Sequence, residues 1–238
     1  MTHSNTAAGL MQAQKRAEKT KKRRGIVILA RRLLLPLLLC LSCAFVYAAD
    51  DDDDGAALLR AFWTQTPSAQ AQFRQRVYDD DGELLSDGGG RLWFARGGKF
   101  RVEYQSPEEL LIVSNGESFW SYEKDLRQVV VRPLSSLGGG FLAALSAGEW
   151  QALPRLYDLS AGGAEDGMRW VVAQSKDKED AVRRILFGFD DGGALQQLKM
   201  HDAFGGMVRV DIIGLSPGAA DDIFDFVPPP DAEIIRDQ

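Results

Sequence analysis

The chain has 238 residues, 45% hydrophobic and 26% charged, with a formal net charge of −6. Nine of its 28 basic residues and one of its 34 acidic residues lie in the first 48 positions. The remainder holds 19 basic and 33 acidic groups, a net charge of −14, which repels a phosphate backbone and excludes nucleic-acid binding. Both cysteines, Cys40 and Cys43, and one of the two histidines also precede residue 49, excluding from the later chain a disulfide, a thiol nucleophile and a His/Cys metal centre.

The first element is a targeting signal. Lys15, Arg16, Lys19, Lys21, Lys22, Arg23, Arg24, Arg31 and Arg32 precede an apolar run from Leu33 to Val46, which small residues and the aspartates 50–54 then end. That order is a secretory signal, and the run falls short of the roughly 20 apolar residues of a spanning helix. Val46-Tyr47-Ala48 favours cleavage after Ala48, giving a signal peptide 1–48 and a single domain 49–238. The basic prelude reads as an extended signal region or as sequence upstream of a start at Met11. Lipidation at Cys43 is disfavoured, because Cys40 and Leu41 suit that chemistry poorly.

Leu58, Leu59, Phe62 and Trp63 then recur with helical spacing on one face, and Pro67 closes the helix. From Gln70 the period becomes two, with Phe73 and Val77 alternating against Gln72, Arg74 and Arg76, until Asp79-Asp80-Asp81-Gly82 supplies a turn. Strands follow at Gly90–Phe94, Lys99–Tyr104, Leu110–Ser114, Ser118–Glu123 and Gln128–Arg132, joined by short Gly, Asn, Asp and Pro spacers of successive hairpins. Gly138-Gly139-Gly140 leads into a short apolar helix with Phe141, Leu142 and Leu145. Strands resume at Tyr157–Leu159, Arg169–Gln174, Ile185–Phe189, Leu195–Asp202 and Met207–Ile213. Gly162-Gly163 and Lys176–Asp180 read as joints. The fold class is mainly β (α+β), an antiparallel domain with two or three short helices. Aromatics on nearly every strand suit either a filled core or an apolar cavity.

Catalytic chemistry is sparse. Gly214-Leu215-Ser216-Pro217-Gly218 matches a hydrolase elbow pattern, but Pro217 and Gly218 oppose the helix that must follow, and His201 precedes the serine. The segment reads as a turn. Asp50, Asp52, Asp54 and Gly55 begin like a calcium loop whose twelfth position is Ala61 rather than Glu. Asp79 to Gly82 lies in a hairpin, and both clusters read as solvated charge. Gly88-Gly89-Gly90 and Gly138-Gly139-Gly140 fit no phosphate loop and read as flexibility or hinges. No catalytic residue, metal or cofactor is expected.

The stretch from Trp93 onward carries Arg96, Gly98, Lys99, Phe100, Arg101, Tyr104, Ser106-Pro107, Leu111-Ile112-Val113, Gly116, Trp120, Tyr122, Gln128-Val129 and Pro133. The tail adds Phe224-Asp225-Phe226-Val227-Pro228-Pro229. This pattern resembles the LolA family of periplasmic lipoprotein carriers. Gly97 stands where that family has proline and Asn115 where it has aspartate. Pro230-Asp231-Ala232-Glu233 replaces its Gly-Val-Asp-Val-like tail, and Ser175-Lys176 replaces a Pro-Lys segment.

The resemblance implies an incomplete, curved antiparallel barrel whose apolar concave face is covered by short lid helices. It implies a monomer working in the periplasm, with acylated lipoproteins as cargo. An inner-membrane ATP-driven release complex and an outer-membrane LolB-like receptor would be its partners. It maps the family's key arginine to Arg101, as a latch bonding lid-helix backbone. The lid would comprise Leu58, Leu59, Phe62 and Trp63 with Phe141, Leu142 and Leu145. Phe73, Leu92, Phe94, Phe100, Ile112 and Trp120 would line the acyl pocket. The rival readings are a divergent paralogue with other lipid cargo, a LolB-like lipid-anchored receptor, a lipoprotein-stress sensor and a lipid hydrolase.

Overall fold

The computed structural model describes residues 55–137 and 153–236. The chain divides into two units, residues 1–35 and 36–238, and every described residue belongs to the second. No helix among the described residues is long and apolar enough to cross a membrane. The expected lid residues Phe141, Leu142 and Leu145, the glycines 138–140 and the signal segment 1–48 lie outside the described residues.

Helix α1, Gly55–Gln65, is followed by strands β1 Ser68–Tyr78, β2 Leu84–Ala95, β3 Lys99–Ser106, β4 Leu110–Asn115, β5 Ser118–Glu123 and β6 Gln128–Pro133. A 3-10 turn at Leu134–Leu137 and a short helix α2, Leu153–Leu156, precede β7 Tyr157–Glu165, β8 Met168–Ser175, β9 Val182–Phe189, β10 Leu195–Asp202 and β11 Met207–Pro217. A second 3-10 turn, Asp221–Phe224, and β12, Glu233–Arg236, follow.

The strands form one 12-stranded sheet ordered β12-β6-β5-β4-β3-β2-β1-β11-β10-β9-β8-β7. It is open and curved: β12 and β7 are its ends and do not pair. The meander expected from the hairpin spacers is present, with one addition. β12 runs parallel to β6, pairing Ile234 with Val129 and Ile235 with Val130.

Strand alternation divides the sheet into two faces. β1 shows it plainly. Ala69, Ala71, Phe73, Gln75 and Val77 are buried, while Gln70, Gln72, Arg74 and Arg76 point the other way. Cross-strand register carries the buried set to Leu92 and Phe94 on β2, Phe100, Val102 and Tyr104 on β3, and Ile112 and Ser114 on β4. In the other direction it reaches Val208, Val210 and Ile212 on β11, Leu198 and Met200 on β10, and Ile185 and Phe187 on β9. This inner face also seats α1, whose Phe62 meets Phe189 edge-on at 5.3 Å.

Three glycine readings change. Gly88, Gly89 and Gly90 are residues of β2 rather than a hinge. A Cβ at Gly90 would stand 1.8 Å from the Glu103 carbonyl oxygen, so the backbones approach where no side chain fits. Gly162 and Gly163 sit inside β7 at a register slip between Ala161 and Ala164, so the expected joint is a bulge. The Gly214–Pro217 segment is likewise the end of β11, with a slip against β1 between Gln70 and Gln72, and not a free turn.

Candidate functional site

Leu59 and Phe62 point α1 into the sheet and are almost fully buried, while Leu58 and Trp63 are partly exposed. At the helix start, Gly55 packs so closely on β7 that an added Cβ would lie 2.7 Å from the Ser160 backbone. At its end, Thr66 Oγ1 donates to the Phe62 carbonyl at 3.2 Å and Pro67 stops the helix.

The last carbonyls of a helix have no intrahelical partner and carry the negative end of its dipole. Arg96 supplies the partner. Its guanidinium Nη2 donates to the Thr64 carbonyl at 2.6 Å, and its backbone N–H donates to the Pro67 carbonyl at 2.9 Å. Arg96 follows β2 directly, so the contact ties the sheet rim to α1.

Arg101, the expected latch, lies elsewhere. Alternation on β3 turns Phe100 and Val102 inward and Arg101 outward. There its Nε donates to Glu103 Oε1 at 2.9 Å, and its Nη1 reaches the Ile223 carbonyl at 3.4 Å, in the second 3-10 turn. The bond to an α1 carbonyl is made instead by Arg96. The signal was present in the sequence, since Arg96 opens the resembling stretch at a strand end before two glycines. Its reach to α1 depends on how the helix folds back.

Of the expected pocket residues, Phe73, Leu92, Phe94, Phe100 and Ile112 share the inner face and are nearly inaccessible. Trp120 does not join them. It opposes Val113 and Val131 on the outer face and packs on Phe226, with ring centroids 6.2 Å apart. Alternation on β5 instead sends Phe119 inward, where its ring is 6.3 Å from Phe100 and carries the Arg132 guanidinium at 5.1 Å. The inner face is thus a broad layer of hydrocarbon, interrupted by Gln75, Tyr104, Ser114, Ser121 and Arg132.

The outer face is laced with ions. Asp211 accepts hydrogen bonds from Arg76, Arg209 and Gln197. Burial alone would raise its pKa, but the bonds from Arg76 and Arg209 hold it below the ordinary carboxylate value. Asp87 is likewise lowered by its hydrogen bond with Arg74. Where β1 and β11 slip, an open outer groove of about 300 Å³ is lined by residues that include Gln70, Trp93, Arg91 and Ser216.

Ser216 faces Gln70 near one end of β11, whereas His201 faces Met207 at the other. At about 3.3 Å per residue, nine residues separate them by about 30 Å, so they form no nucleophile and base pair. Asp79, Asp80 and Asp81 bring carboxylate oxygens within 4.8 Å of one another. Asp79 Oδ1, however, already accepts the N–H groups of Asp81 and Glu83 in the hairpin turn.

The family model described as "Outer membrane lipoprotein carrier protein LolA" matches residues 64–227. The chain belongs to the LolA family. An outer-membrane lipoprotein carrier protein of Methylobacillus flagellatus is 35% identical over 179 residues, covering 74% of this chain and 86% of the relative. One from Nitrosospira multiformis is 33% identical, covering 75% and 87%. Among solved structures, an uncharacterized conserved protein of Thermus thermophilus aligns at 15% identity with a TM-score of 0.48, covering 71% and 90%.

Proposed function

We propose that this LolA-family chain is a periplasmic carrier that holds the acyl chains of lipoproteins against the inner face of its sheet. In this reading it takes cargo from an inner-membrane ATP-driven release complex and passes it to a LolB-like outer-membrane receptor. The supporting observation is the broad, largely apolar inner face beneath α1, whose end is tied to the sheet by Arg96. Each buried methylene contributes about 0.8 kcal/mol, so partial burial of a few acyl chains holds a ligand without covalent chemistry. The chain acts as a carrier and not as an enzyme, and export follows cleavage after Ala48.

Arg96 is the latch in this scheme. A charge-assisted bond to a helix carbonyl is worth a few kcal/mol at most, within the range a ligand can overturn when it displaces the helix. Native mass spectrometry of protein purified from periplasm after co-expression with a triacylated lipoprotein tests both parts. The expected result is a one-to-one lipoprotein complex that accumulates in Arg96→Leu, while Arg101→Leu behaves as wild type, each protein starting at Ala49. Free lipid without lipoprotein would favour the divergent-paralogue reading, and empty proteins throughout would overturn the carrier.

A further inference from the structure

Gln75 and Tyr104 sit on the inner face where hydrocarbon packing needs no polar group. They belong to β1 and β3, and the intervening strand β2 offers only Gly88 and Gly90 at the facing positions. Because no side chain stands between them, Tyr104 reaches across β2. Its ring meets Phe73 edge-on at 5.1 Å, and its hydroxyl donates to Gln75 Oε1 at 3.2 Å.

Gln75 is 5% exposed and Tyr104 7%. Burial drives the phenol pKa well above its ordinary value, which keeps the hydroxyl a donor. The bond therefore occupies the carbonyl side of the carboxamide and fixes its orientation. Two N–H donors remain on Nε2, and the hydrogen bonds among the described residues give them no acceptor. The register neighbours of Gln75 on this face are Phe73, Val77, Val210 and Gly88, none with a polar side chain. The carboxamide is thus oriented with its donor side free to meet an acceptor that a ligand brings to this otherwise apolar wall.

We propose that Gln75 is a specificity-determining residue of the inner face, donating from Nε2 to the carbonyl oxygen of an ester- or amide-linked acyl chain. Tyr104 is its positioning residue, and Gly88 and Gly90 clear the space in which the two meet. The proposal rests on the carrier reading and sharpens its ligand chemistry: an acyl carbonyl is preferred over hydrocarbon alone.

The test compares two synthetic lipopeptides, one with a dipalmitoylglyceryl group on an N-terminal cysteine and one with the matching di-O-hexadecylglyceryl group. The second keeps the chain length and replaces each ester carbonyl by a methylene. Each is titrated against the mature chain by displacement of a fluorescent lipid. The wild type is expected to bind the ester about tenfold more tightly, the size of one water-excluded hydrogen bond. Gln75→Met, which keeps the side-chain volume, is expected to bind both within about twofold of each other. Equal binding of both peptides by the wild type overturns the proposal even if the variant fails to fold. So does an ester preference that survives in Gln75→Met. Binding of neither peptide overturns the carrier reading itself.

Discussion

The two faces of β1 are built from one strand and obey different physics. Phe73 and Val77 face hydrocarbon, whereas Arg74 and Arg76 face Asp87 and Asp211. Apolar burial scales with area and is hard to replace once lost. Exposed ion pairs gain little, because water competes for each partner and salt screens the attraction. The inner face therefore supplies stability and, in the carrier proposed above, the binding surface, while the outer face supplies solubility and register.

Substitutions chosen from the two faces sharpen that contrast. Phe189→Ala removes a fully buried ring and its contact with Phe62, and is expected to cost about 3–5 kcal/mol in urea unfolding. A smaller effect, about 1–3 kcal/mol by the same measurement, is expected for Tyr104→Phe, which strands the Gln75 carbonyl in an apolar wall. On the outer face, Asp211→Ala leaves Arg76 and Arg209 without their shared acceptor. It is expected to cost about 1 kcal/mol, reduced further by added salt. A loss from Asp211→Ala larger than that from Phe189→Ala would break the contrast between faces.

The smallest effect concerns acid. His201 on β10 has its pKa lowered from 6.5, first by burial and then by Arg184 and Lys199, against the opposing pull of Asp202. The unfolded chain then takes up this proton before the folded one. The stabilisation is present above about pH 6.5 and is lost as pH falls toward the folded value. His201→Gln is expected to melt with a smaller drop between pH 7.5 and 5.5 than the wild type, measured by circular dichroism.

Sequence spacing located the strands well wherever hairpin turns bracket an alternating run. β5 and β10 begin and end where the pattern places them, Ser118–Glu123 and Leu195–Asp202. Errors cluster where glycine has two meanings. The run at 88–90 reads as a break, yet it is the part of a strand that neighbouring backbones crowd. β12 escaped notice because its four residues lack alternation, and its parallel partner is distant in sequence. Alternation on β5 has two possible phases, and the one that would put Trp120 in the pocket is not adopted: the register of Ser118–Glu123 sends Phe119 inward. Alternation on β3 already turns Arg101 outward, whereas the reach of Arg96 to α1 depends on how the helix folds back, which local pattern does not encode.

The parallel pairing of β12 has a consequence for the sheet as a solute. A closed barrel has no unpaired rim, but an open one must end somewhere, and a bare rim of N–H and C=O groups invites strands from other molecules. Here β12 is laid along β6 as four residues only, beginning with Glu233 and ending with Arg236. So short a border, with a charge at each end, offers a foreign strand little length to copy at this edge of the sheet.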